Sequence, residues 1–149
     1  MTALMAQNKG AGKKNRMQEG FRCGMVLESI YGIFIFLVCF IFAKPLMCLF
    51  VQDEEVIMHG VTYLHLISIM YILPAFTNGI QGFFRGIGDL KITLMSCLVN
   101  MTVRVIVAAP LVFSLHLGIE ALPYSYLAGW IGMLLAELPL LIRTYKAYE

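Results

Sequence analysis

The sequence predicts an all-α integral membrane protein: a bundle of four transmembrane helices with both termini on the cytoplasmic side. Three observations lead there. Of 149 residues, 60% are hydrophobic and 13% are charged, against about a quarter charged in a soluble domain, so most of the surface must face lipid or other protein. Four runs are apolar over the roughly 20 residues that a helix needs to cross a hydrocarbon core of about 30 Å. Basic residues also gather on alternate connections between those runs, as the cytoplasmic excess of Lys and Arg requires.

The elements follow in order. Residues 1–22 read as a basic cytoplasmic loop joined to the tail of a preceding helix, and residues 23–149 as the four-helix bundle. The first span covers residues 24–43 and ends at Lys44-Pro45. It follows a polar, basic segment and precedes three further spans, so it is not a cleavable signal peptide. The second covers 61–84, the third 92–117 and the fourth 122–142. Lys9, Lys13, Lys14, Arg16, Arg22, Arg85, Lys91, Arg143 and Lys146 then lie inside, whereas the outer loops hold Lys44 beside Asp53, Glu54 and Glu55. Pro74 and Pro110 fall within spans two and three and mark kinks, which membrane helices tolerate when neighbours satisfy the freed carbonyl.

Several function classes are excluded. Gly10-Ala-Gly-Lys-Lys14 lacks the Gly and Ser/Thr positions of a phosphate loop, and no strand precedes it. Cys23, Cys39, Cys48 and Cys97 are dispersed without C-x-x-C or His spacing, so they read as small apolar side chains, not metal ligands. Asn100-Met-Thr102 is a glycosylation sequon buried in mid-span. No Ser-His-Asp set or paired membrane carboxylates appear, which argues against an enzyme. The basic amino-terminal cluster has no soluble fold behind it, which argues against nucleic-acid binding. No cofactor or metal is expected.

Polar groups within the spans are the candidates for a pathway, because ionisable side chains there are costly. Arg104 lies near the middle of span three, and Ser96, Asn100 and Arg104 align at i, i+4 and i+8 with Thr93 beside them. That face points into the bundle or toward a wet cavity; Arg104 is either an interhelix anchor or a pathway residue. In span two, Tyr71, Pro74, Asn78, Gln81 and Arg85 fall within about 80° of arc at 100° per residue, and serve either helix-to-helix bonding or substrate contact. Glu28 and Glu137 lie within about two turns of the cytoplasmic interface, where a solvated or salt-bridged role is the default and proton coupling the alternative. His65, opposite the polar face, reads as a packed neutral imidazole, and Trp130 as packing.

Three stretches carry a family resemblance: Ala6-Gln-Asn-Lys-Gly-Ala-Gly-Lys-Lys14, Leu49-Phe-Val-Gln-Asp-Glu-Glu-Val-Ile57 and Gln81-Gly-Phe-Phe-Arg-Gly-Ile-Gly-Asp89. In order and spacing they resemble the MATE (multidrug and toxic compound extrusion) transporters, over nearly the whole chain. The resemblance implies helices 9–12 of a twelve-helix protein, since the Asp-Pro of the first lobe's penultimate span is replaced by Asn100 and Arg104. It implies a fragment of a plasma-membrane antiporter that exports organic, often cationic compounds by alternating access, coupled to protons or sodium. Its partners would be the lipid bilayer, the remaining transporter helices and small organic substrates. Some branches place a coupling acid near the position of Pro74; this chain has none there, which puts sodium coupling in this lobe in doubt. Two other readings stand beside it: a small self-assembling four-helix transporter built around Glu28, and a non-transporting subunit or truncated gene product.

Overall fold

A computed structural model describes residues 1–147. The described residues form seven helices: α1 (Thr2–Gly10), α2 (Lys14–Ile41), α3 (Ala43–Cys48), α4 (Glu54–Met70), α5 (Ile72–Gly86), α6 (Leu90–Phe113) and α7 (Ala121–Ala147). Three of them, α2, α6 and α7, are each long and apolar enough to cross a membrane. Taken together, the pair α4–α5 is long and apolar enough as well, bent by 49° at a short break. The break sits at Tyr71, three residues before Pro74. Proline lacks the N–H that would bond the Met70 carbonyl and its ring crowds that carbonyl, so the helix ends and restarts there.

The helices run further than the apolar stretches do. Residues 14–22 are helical and continuous with the first span, because Lys, Arg, Glu and Gln lower hydropathy without lowering helix propensity. At 28 residues, α2 is about 42 Å long, more than a bilayer core requires. At the other end, α6 stops at Phe113, short of residue 117, and His116 turns the chain with φ 50°. Pro110 and Pro139 both lie inside continuous helices.

The sequence stretches that stand out at the level of motifs prove to be helix ends. Gly12 and Gly88 have φ of 65° and 83°, the left-handed conformation that only glycine adopts freely. Each closes its helix with paired bonds: Gly12 N–H to Lys9 O and Lys13 N–H to Asn8 O in one, Gly88 N–H to Arg85 O and Asp89 N–H to Phe84 O in the other. These are Schellman caps. The Lys9 ammonium then donates to the Ile87 carbonyl at the end of α5, where the helix dipole favours a cation. Asp53 caps α4 through Oδ1, which accepts from Glu55 N–H at 2.9 Å and Val56 N–H at 3.2 Å. Glu54 and Glu55 add favourable charge in its first turn.

At the centre lies α5, which packs against α1, α2, α4, α6 and α7. Its buried side includes Ala75, Thr77, Gly79, Ile80, Gln81, Gly82, Phe83, Phe84 and Gly86. Gly82-x-x-x-Gly86 lets α1 come close, as small residues do between membrane helices. A Cβ on Gly86 would lie 2.7 Å from the Thr2 carbonyl oxygen, which is backbone and cannot swing aside. Met5, Met17, Ile80, Phe83, Phe84 and Ile87 form an apolar core around this contact, with Phe21 edge-on to Phe83 at 5.1 Å. By contrast α2 leaves Val26, Leu27, Ile30, Ile33, Phe34 and Leu37 exposed, a face for lipid or further helices.

The Gly86 contact yields a direct test. Gly86→Val must push α1 off α5 and should lower unfolding stability by about 1–3 kcal/mol, measured on the purified chain in detergent. Gly10→Ala, with nothing within 4 Å of the added Cβ, should be neutral or slightly stabilising.

Candidate functional site

The α5, α6 and α7 helices enclose a cleft of about 310 Å³, lined by Pro74, Thr77, Asn78, Gln81, Cys97, Asn100, Met101, Trp130 and Met133. Three of the sequence-predicted candidates, Asn78, Gln81 and Asn100, thus meet at one place. Each arrives there by periodicity: Pro74, Asn78 and Gln81 stack on one face of α5, and Asn100 projects from α6 one turn after Ser96. Gln81 and Asn100 are buried, whereas Asn78 is exposed along the open side.

The amides are poorly satisfied. Gln81 Nε2 reaches Met133 Sδ at 3.9 Å, and Asn100 Nδ2 reaches the same sulfur at 3.5 Å. A thioether is a weak acceptor. Two amide groups in apolar surroundings therefore share one weak partner, and retain donor capacity for a ligand that brings oxygen or for water.

Arg104 lies one turn beyond Asn100 and is half-buried. One of its guanidinium nitrogens donates to Asn100 Oδ1 at 3.4 Å. Its Cζ stands 3.4 Å above the Tyr126 ring centre. Tyr63 of α4 adjoins the same pair. The anchor reading of Arg104 fits this geometry, although its partner is an aromatic face and not a backbone carbonyl or an acid. A cation over an aromatic ring retains its charge while shedding water, which lets arginine lie within a span. The stem of Arg104 packs on Gly129, where an added Cβ would fall 3.1 Å from the Asn100 carbonyl.

Two candidates stand elsewhere. Tyr71 sits at the α4–α5 break with Tyr31 and Cys39 of α2 as neighbours, because the bend at that residue resets the helical face. Glu28 lines a separate cleft with Met1, Gly24, Leu27 and Tyr31. Arg85 is exposed at the end of α5. His65 donates through Nε2 to the Phe40 carbonyl at 3.1 Å, a group that α2 leaves without a helical partner as it ends at Ile41.

Sequence reasoning missed the α7 contribution. Trp130 lines the cleft and packs 5.8 Å from Tyr126 ring to ring. Glu137 is fully buried, contrary to a solvated interfacial role. The signal was present: Tyr126, Trp130, Met133 and Glu137 fall at i, i+4, i+7 and i+11, a single face of α7. The interfacial expectation counted from Arg143 as the end of the span, whereas α7 continues to Ala147 and packs this face on α5 and α6.

The comparisons agree with this architecture. Residues 1–111 match the family model described as MatE. The "Probable multidrug resistance protein NorM" of Thermotoga maritima (strain ATCC 43589 / DSM 3109 / JCM 10099 / NBRC 100826 / MSB8) is 24% identical over 135 residues, which cover 90% of this chain and 28% of that protein. A solved inward-facing conformation of a multidrug resistance MATE family transporter of the MOP superfamily superposes with a TM-score of 0.88 at 17% identity, covering 94% of this chain and 32% of that one. The chain thus spans about a third or less of the length of these proteins.

Replacing Tyr126 tests the anchor. Tyr126→Phe keeps the aromatic face and should change unfolding stability little, whereas Tyr126→Leu should cost about 0.5–2 kcal/mol in detergent unfolding. More than half of the chain matches the family model and the fold agrees; this membrane protein belongs to the MatE family, whose members are transporters and not enzymes.

Proposed function

We propose that the chain forms part of a plasma-membrane antiporter that exports small organic, often cationic compounds in exchange for protons or sodium. It would occupy the place of helices 9–12, with both termini cytoplasmic, and act together with the remaining transporter helices. The observation that carries this reading is the cleft. Asn78, Gln81 and Asn100 line one cleft together with Trp130, so weakly satisfied hydrogen-bonding groups and an aromatic side chain share its wall. Organic cations bind such faces through the ring quadrupole, and the amides orient them without placing a second fixed charge in the path. The Arg104 charge stands one turn away, covered by Tyr126. Alternating access would then follow from the rocking of one lobe against the other around a midplane site, with α5, α6 and α7 as part of one wall. The MatE family and the name of the Thermotoga maritima relative support the multidrug reading.

The single tryptophan of the sequence makes the site readable. Ethidium titrated into the lipid-reconstituted chain should quench Trp130 fluorescence saturably. Gln81→Leu together with Asn100→Leu should weaken that binding about tenfold or more, the equivalent of about 1.4 kcal/mol. Linear, unsaturable quenching would remove the cleft from the pathway. Coupling is read separately, as ethidium efflux from cells that express the chain within its complete transporter. Efflux that persists after collapse of both the proton and sodium gradients would contradict antiport.

A further inference from the structure

We propose that Glu137 is a proton-binding site adjoining the cleft, a carboxylic acid that is neutral in this conformation and gives up its proton when water or an organic cation enters. Its role in coupling rests on the transporter reading above; its protonation does not.

Three observations carry this. First, Glu137 has no exposed surface, although much of the apolar surface of α2 and α6 is open in the same structure. Further helices can only bury it more deeply. Second, neither carboxylate oxygen has a hydrogen-bond partner, and the neighbouring α6 face holds a second orphan, Thr93 Oγ1. An ionised carboxylate left unpaired in an apolar interior is strongly disfavoured and takes up a proton instead. Third, its polar neighbours are Ser96 of α6 and Gln81 of α5, neither of which carries a charge. The Ser96 hydroxyl donates to the Ile92 carbonyl at 2.8 Å, and the Gln81 amide points to Met133 Sδ.

No charged group among the described residues offsets this. From α5 the facing group is Gln81 and from α6 it is Ser96; residues 133–141 of α7 hold no other ionisable side chain. The cations Arg85, Lys91 and Arg143 are exposed at the basic end of the bundle. The nearest aromatic of α4, Tyr63, meets α7 near Tyr126, about three turns away.

Gln81 belongs both to the cleft lining and to the surroundings of Glu137. A cationic ligand held at Gln81 and Asn100 would favour the carboxylate, and the proton would pass from the Glu137 O–H to water entering with the ligand, leaving a carboxylate and hydronium. Protonation reverses the step and expels the cation. Organic cation and proton thus compete through one group, and their linkage is reciprocal.

Infrared spectroscopy of the whole chain in lipid tests this. The carbonyl stretch of a protonated carboxylic acid should be present at neutral pH, vanish in Glu137→Gln, and persist in Glu137→Asp at a shifted position. Adding sodium at fixed pH should leave it unchanged. The proposal is overturned if the folded wild-type chain lacks the band at neutral pH, if the band survives in E137Q with native helical content, or if sodium removes it. The last result would make this a sodium site. A band present without saturable ethidium quenching would leave the proton site standing while the cleft reading fails; quenching without the band would do the reverse.

Discussion

The close approach permitted by Gly79, Gly82 and Gly86 on one face of α5 is the constraint on which the rest of the bundle depends. Lipid is as apolar as leucine, so no hydrophobic drive gathers helices within a bilayer; close packing and polar contacts must do it. The glycines let Met1, Met5 and Met25 sit directly against the α5 backbone. With that side filled from α1 and α2, Thr77 and Gln81 are directed to α6 and α7. The polar cleft is therefore a consequence of where the small residues lie.

Within a membrane, freed backbone groups need protein partners. His65 serves the Phe40 carbonyl in this way; at the basic end of the bundle, Lys9 serves Ile87 O and glycine caps close α1 and α5. Arg104 resolves its charge on Tyr126 and Asn100. The exceptions are the Gln81 and Asn100 NH2 groups, which share one sulfur, and Thr93 Oγ1 and the Glu137 carboxylate, which have no partner. Their unsatisfied capacity is concentrated within a few turns of α5, α6 and α7. Elsewhere in the structure, polar side chains such as Ser29, Thr62, Ser68 and Ser125 return to carbonyls of their own helices.

Much of the fold was legible in the sequence because hydropathy reports burial in lipid directly. The four apolar runs, the break near Pro74 and the polar face of α6 are read from residue type and period alone. Helix ends were less legible, since Lys14, Arg16 and Arg22 end a hydropathic run without ending a helix. The site was half legible. Asn78, Gln81 and Asn100 follow from periodicity, but Tyr71 does not stay with them once the helix bends. Glu137 could not be placed by counting from Arg143, because its burial depends on how α7 meets α6, a tertiary fact. The face shared by Tyr126, Trp130, Met133 and Glu137 was available and would have corrected the count.

The register between α6 and α7 sets Met133 on Asn100 and Glu137 beside Ser96. A Cβ on Gly132 would stand 3.7 Å from the Val103 Cβ, within the separation that a disulfide needs. In a chain whose four native cysteines are replaced by alanine, V103C with G132C should oxidise rapidly to an intramolecular disulfide. V103C with I131C, one residue out of register on an exposed face, should not. Preferential cross-linking of the offset pair would contradict the register and, with it, the burial of Glu137.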